Sequence, residues 1–376
     1  MSGGWAKIYQ NIINKSIIEG APTAGFFELT SRCNFHCKMC YVCSMPEDRS
    51  YLQNELTTQQ WVELGRQARD EGLLFLTLSG GEIFMRKDFF DIYEPLSEMG
   101  FNITLFTNGS LIDAEKARRL GERPPSKVSI TLYGACPETY GRVTGHPEGF
   151  DKVINAIKLL LAENIKVELK TTAIKDNYRE FHDIYEIADG LGLTLGVVNY
   201  VAPRREGCGT DPENNRLDPI ELARYEKMLQ DFRLKHTDMK KLKKVLKISV
   251  DEDVMTEKTI GDAINKLLET KKTDCVFNCT ATRCAFWLSW DGKLTPCGLL
   301  TEPSVDVKKH GFLESWKHLK SAGLDVPVCN ECNSCQYRKR CMTCPARLKV
   351  ETGRFDRPAP YLCELSKARA ELEVIY

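Results

Sequence analysis

The sequence predicts an α/β fold, a parallel sheet that is open or curled into part of a barrel, followed by a cysteine-rich domain. Two observations carry this prediction. Strand-like and helix-like segments alternate over residues 25–200, and ten of the sixteen cysteines crowd into residues 275–363.

The strand candidates are short runs rich in β-branched and aromatic residues: GFFEL, LLFLTLS, NITLFT, KVSITLY, IKVELKTTA and LTLGVVNY. Between them lie helical patterns: TTQQWVELGRQARDEG, DFFDIYEPLSEMG, LIDAEKARRLG, FDKVINAIKLLLAEN and YREFHDIYEIADGLG. Several end at Gly or Asn, the usual stop. Strands joined through helices imply right-handed βαβ units, whose chemistry belongs at the C-terminal ends of the strands. Trp5, Ile8 and Ile12 are spaced for a short packed helix before the first strand. Residues 203–217 read as an exposed loop, and a helical stretch with a lysine-rich surface, MKKLKKVLKISV, follows it. From 275 onward turns and short strands replace periodic structure. The expected division is therefore a helical extension (1–24), a barrel (25–202), a loop and helical linker (203–274) and a cysteine-rich domain (275–376).

Lys+Arg and Asp+Glu are equal at 52 each, so no net field points to nucleic acid or an acidic membrane surface. No apolar run approaches the roughly 20 residues of a membrane span, and the N-terminus has no signal-peptide core. A cytoplasmic location is expected. There, thiols in such number argue for metal ligation rather than disulfides.

The stretch TSRCNFHCKMCYVC puts Cys33, Cys37 and Cys40 on the loop leaving the first strand. Three thiolates at C-x3-C-x2-C spacing can hold three corners of a cubane cluster and leave the fourth iron open. A structural zinc site wants four ligands, and Cys43 offers a fourth. Ser79-Gly80-Gly81-Glu82 closes the second strand. Its glycines let a ligand approach the backbone, and Glu82 offers a carboxylate to an ammonium group.

With these motifs in order, the sequence resembles the radical S-adenosylmethionine (SAM) enzymes. Their hallmark is C-x3-C-x-φ-C with a downstream GGE on a partial (β/α)6 barrel. The resemblance implies a [4Fe–4S] cluster on Cys33, Cys37 and Cys40 that binds SAM through its open iron. It further implies reductive cleavage of SAM to a 5′-deoxyadenosyl radical and an external electron donor such as flavodoxin or ferredoxin. Cys43 is then not a ligand. Met39 stands where the family usually has an aromatic residue beside the adenine. By the same resemblance Gly80, Gly81 and Glu82 contact the cofactor. Asn108 lies at a strand end near it, Thr131 (or Ser129 on the same strand face) meets the ribose, and Arg142 meets the SAM carboxylate.

The C-terminal cysteines run Cys279, Cys284, Gly292-x4-Cys297, Cys332-x2-Cys335-x5-Cys341-x2-Cys344 and Cys363. This resembles the SPASM domain appended to many radical SAM enzymes, apart from a last spacing of x2 where that pattern has x3. The resemblance implies two auxiliary [4Fe–4S] clusters, one on Cys279, Cys284, Cys297 and Cys344, the other on Cys332, Cys335, Cys341 and Cys363. Cys43, Cys136, Cys208, Cys275 and Cys329 are left without a cluster role.

SPASM-bearing members mostly modify peptides or proteins. The preferred expectation is a peptide maturase forming a thioether or carbon–carbon crosslink. Formylglycine formation on a sulfatase comes second and small-molecule or tetrapyrrole modification third. A non-catalytic electron carrier is the alternative from another class. Only 32 residues precede Cys33, so recognition of a precursor's leader is expected from a separate protein, from the barrel–SPASM surface, or not at all. No general base is assignable.

Overall fold

A computed structural model describes residues 3–41, 53–205, 215–236, 277, 279–341 and 344–374. Cys43, Cys208, Cys275 and the lysine-rich stretch of the linker lie outside the described residues. The chain forms two compact units. One is Ile13–Arg216 with Cys279–Val326; the other is Met1–Ile12, Leu217–Asn278 and Pro327–Tyr376.

Among the described residues, the first unit is built on nine strands in the order β6-β5-β4-β3-β2-β1-β7-β8-β9. The first six are Ala24–Glu28, Phe75–Ser79, Asn102–Thr107, Lys127–Thr131, Val167–Thr172 and Leu195–Val198, as the apolar runs predict. All pair in parallel with their sequence neighbours, and the order places β6 at an edge. This is the sheet of a partial TIM-like barrel. β7 (Ala285–Leu288) adds a further parallel strand against β1, with Phe26 opposite Trp287. β8 (Lys293–Thr295) and β9 (Val305–Asp306) continue it antiparallel.

The boundary read at 275 therefore divides the chain differently from its packing. Cys279–Val326 is continuous with the barrel sheet because its first strand is an apolar edge partner for β1. The helix Val307–Leu324 in this segment escapes a periodicity reading, since Gly311 interrupts it with φ 69°.

The connecting helices start where their chemistry allows. Thr57 caps Thr58–Asp70 in a reciprocal capping box with Gln60, and Asp113 caps Ala114–Glu122. They cover one face of the sheet. Phe27 packs on Trp61 with ring centroids 5.1 Å apart, and Phe286 packs on Phe312 at 5.0 Å. Trp61 is fully buried. Truncating such an aromatic costs about 3–5 kcal/mol. The N-terminal helix Gly3–Glu19 exists, but not with its expected packed stripe: Trp5 and Ile8 are exposed, while Ile13 and Ser16 are buried.

In the other unit, Pro219–His236 packs on Pro360–Glu371 through a buried bidentate pair. Arg369 donates from Nε and Nη2 to the Glu226 carboxylate, 2.6 Å for each bond.

Candidate active site

The cysteine loop leaves β1 and is sutured to the exit of β2. The Gly81 N–H donates to the Thr30 carbonyl and the Glu82 N–H to that of Arg32, both at 2.8 Å. This is why two glycines stand there. A Cβ on Gly80 would lie 2.6 Å from the Thr30 oxygen, and one on Gly81 2.3 Å from the Arg32 oxygen. The close approach expected of a ligand is made in this structure by the cysteine loop itself. On its other side the loop pairs with the end of helix Pro137–Thr144, His36 N–H to Thr144 O at 2.9 Å and Lys38 N–H to Val143 O at 3.0 Å. Gly145 then ends that helix in the left-handed region, φ 79°.

Held in this way, Cys33 and Cys37 are buried and Cys40 is half-buried. Burial, then the charge of Glu82, pushes the Cys33 thiol up to about 12; the Phe35 N–H and the Asn108 amide act the other way. Burial pushes Cys37 well above its ordinary value too, with Cys40 and Cys33 adding to the effect. Thiols so disfavoured as free anions become stable thiolates when metal holds them. Met39, between them, is buried.

Glu82 is fully buried. Its carboxylate accepts from Phe84 N–H at 3.1 Å, Thr107 Oγ1–H at 2.7 Å and Asn108 N–H at 2.6 Å. Burial pushes it above the usual carboxylate range against those three bonds. All three donors are neutral, so a cation brought alongside would relieve the cost of the charge. The Asn108 side chain bridges to the cysteines, with Nδ2 2.9 Å from Asn34 Oδ1 and 3.7 Å from Cys33 Sγ. The residues present thus fit a cluster-bound ligand that carries an ammonium group.

Ser129 is buried and Thr131 half-buried, and the alternation along β4 sets both on one face. Arg142 is about half exposed. Its Nη2 donates to Thr139 Oγ1 at 2.6 Å and lies 3.6 Å from Glu180 Oε1. Two charged groups of the same unit were not foreseen. Glu28 is fully buried between Arg205, with Nη2 at 3.0 Å, and Trp287, whose indole N–H donates at 2.5 Å. Glu168 lies between Lys127 and Lys170. Both acids alternate with apolar residues along strands, a pattern that a search for apolar runs passes over.

In the unit that ends the chain, Cys332, Cys335, Cys341 and Cys363 line one cavity of about 410 Å³, together with Tyr337 and Lys367. Burial, followed by the neighbouring Cys329, pushes the Cys332 thiol up to about 12. Burial raises Cys363 as well, with Cys341 and Cys335 next. Four thiols around one space suit an iron–sulfur cluster. The other expected set is drawn from both units. Cys279, Cys284 and Cys297 belong with the barrel and Cys344 with the C-terminal unit, where its sulfur accepts the Arg347 N–H at 3.5 Å. Cys284 is fully buried, which pushes it up to about 11, and Cys279 is exposed. Among the described residues, no three His, Cys, Asp or Glu side chains are gathered to hold a single metal ion.

Residues 27–188 match the Radical SAM superfamily. With the thiol loop, the GGE carboxylate and the parallel sheet in place, residues 27–188 are a radical SAM domain, and the chain is an enzyme whose cofactors are SAM and a [4Fe–4S] cluster. Over 349 residues it is 27% identical to the AdoMet-dependent heme synthase of Methanosarcina barkeri, covering 91% of this chain and 96% of that one. Over 290 residues it is 25% identical to the sporulation killing factor maturation protein SkfB of Bacillus subtilis, covering 76% and 63%. Its fold is that of Streptococcus suis SuiB bound to S-adenosylmethionine, with TM-score 0.65, 15% identity, and coverage of 96% and 81%. Among the described residues no helix is long and apolar enough to cross a membrane.

Proposed function

We propose that this enzyme takes hydrogen from a side chain of a tetrapyrrole. The observation that carries the reading is the near end-to-end similarity to an AdoMet-dependent heme synthase, which spans both thiol regions rather than the barrel alone. On this reading, Cys33, Cys37 and Cys40 hold the SAM-binding cluster, which when bound supplies the electron that cleaves SAM to a 5′-deoxyadenosyl radical. Glu82 receives the SAM ammonium group and Asn108 fixes Glu82 relative to Cys33. Thr131 or Ser129 meets the ribose, Met39 lies against the adenine, and Arg142 turns from Glu180 to the carboxylate. The chain's part in the chemistry is to position one substrate carbon and keep water out. An electron donor such as flavodoxin or ferredoxin is required. Cys332, Cys335, Cys341 and Cys363 hold an auxiliary cluster, which would supply an electron acceptor; Cys279, Cys284, Cys297 and Cys344 are the candidate ligands of another.

A second reading is peptide crosslinking, through a thioether or carbon–carbon bond. The similarity to the sporulation killing factor maturation protein SkfB favours it, and SuiB, which shares the fold, is also known bound to its precursor peptide SuiA. Offering the reduced, reconstituted enzyme iron coproporphyrin III, and separately a precursor peptide encoded beside its gene, tests both. A mass change in the porphyrin supports the first reading. An altered peptide with an unchanged porphyrin replaces it with the second.

A further inference from the structure

The concave face of the sheet has a charge balance and a shape that the SAM site does not use. Phe27 points out to Trp61, so Phe26 and Glu28 point the other way. Strand register carries that inner face across the sheet. Phe26 pairs with Thr77, Thr77 with Thr104, Thr104 with Lys127, and Ser129, on the face of Lys127, with Glu168. The side chains agree. Phe26 stacks on Trp287 with centroids 4.8 Å apart and planes 16° from parallel, and its edge meets Phe106 at 6.2 Å. Lys170 Nζ lies 4.4 Å from the centre of the Phe106 ring.

Two ammonium groups share one acid beside this aromatic pair. Lys127 Nζ is 3.0 Å and Lys170 Nζ 3.3 Å from the same Glu168 oxygen, Oε2. Their side chains are 33%, 28% and 31% exposed for Lys127, Lys170 and Glu168, so a solute can reach them. The other acid of the face, Glu28, is already matched by Arg205. One positive charge in the lysine pair is therefore left without a counter-charge among the described residues, next to two half-buried rings set 72° apart. Had the fold needed only filling at these positions, apolar residues would have served without the repulsion between the lysines.

We propose that Lys127 and Lys170 bind a carboxylate arm of a flat conjugated macrocycle whose ring packs in the angle between Phe26 and Phe106. The inference rests on the tetrapyrrole reading and specifies how that substrate is held. A carboxylate takes charge-assisted hydrogen bonds from both lysines. Because the two rings stand 72° apart, one takes the macrocycle by offset stacking and the other meets it edge to face.

The test is equilibrium binding of iron coproporphyrin III, and of the same porphyrin with its carboxylates methyl-esterified, to the cluster-loaded enzyme. Lys127→Gln and Lys170→Gln should each weaken the acid about tenfold or more, the scale of one charge-assisted bond, and leave the ester unaffected. Lys→Arg at either position should restore acid binding. Glu168→Gln should tighten the acid, because it removes the competing negative charge; a purely structural role for the triad predicts no tightening. Acid binding unchanged in both Lys→Gln variants overturns this inference and leaves the tetrapyrrole reading standing. Failure of the unmodified enzyme to bind the acid overturns both.

Discussion

The Asn108 backbone N–H donates to Glu82 Oε2 at 2.6 Å, while the side chain of the same asparagine lies 3.7 Å from Cys33 Sγ. One residue thereby fixes the distance between the buried Glu82 carboxylate and the first thiol of the cysteine loop. Its own amide is oriented by Ser110, whose N–H and hydroxyl both donate to Asn108 Oδ1.

Glu82→Gln keeps the shape of that acid and removes its charge. The amide also places N–H donors against the Asn108 N–H or the Thr107 hydroxyl. SAM affinity and 5′-deoxyadenosine formation should fall about 10- to 100-fold, the value of a charged hydrogen bond. Equilibrium dialysis against SAM, with chromatography of the nucleoside product, checks it.

Gly81→Ala should displace the cysteine loop, because its Cβ would meet the Arg32 carbonyl at 2.3 Å and neither backbone can yield alone. Iron bound at the first site should fall and the melting temperature with it. Gly190→Ala is the control. It ends a helix with nothing within 4 Å of its Cβ and should stabilise the chain by about 0.4–1 kcal/mol.

Much of this site is legible in the primary structure because its parts are local. Cys33, Cys37 and Cys40 share one loop, and Gly80, Gly81 and Glu82 share another. The six parallel strands are equally visible, since each is an apolar run between helix signals. Glu28, Lys127, Glu168 and Lys170 were hidden for the opposite reason. Each is a single polar residue whose meaning depends on strand register and on partners such as Arg205 and Trp287, far away in the chain. The Val307–Leu324 helix was hidden by Gly311. The purpose of Gly81 needed the Arg32 backbone to be in view.

Arg369→Met should destabilise the C-terminal unit by about 3–5 kcal/mol, because it strands the buried Glu226 carboxylate. The double change Glu226→Leu with Arg369→Met removes both charges and should recover much of that loss. Urea denaturation followed by circular dichroism measures each. The pair joins the helix that carries Cys363 to Pro219–His236, so Arg369→Met should also lower auxiliary-site iron.

Cys363→Ser should remove one cluster's worth of iron, about four atoms per chain. Cys329→Ser should remove none, because the cavity is lined by Cys332, Cys335, Cys341 and Cys363. The unmodified enzyme distinguishes the remaining cluster set. About eight irons per chain mean one auxiliary cluster; about twelve add a second on Cys279, Cys284, Cys297 and Cys344. Iron analysis with Mössbauer spectroscopy reads each case.

The most direct measurement is single-turnover cleavage of SAM by iron-loaded, anaerobically reduced enzyme. The account predicts 5′-deoxyadenosine and methionine in the unmodified chain, and neither when Cys33, Cys37 or Cys40 is replaced by Ala. Iron-replete, fully reduced enzyme that forms no 5′-deoxyadenosine and shows no change in its cluster spectrum on adding SAM would contradict it, and would make the chain an electron carrier.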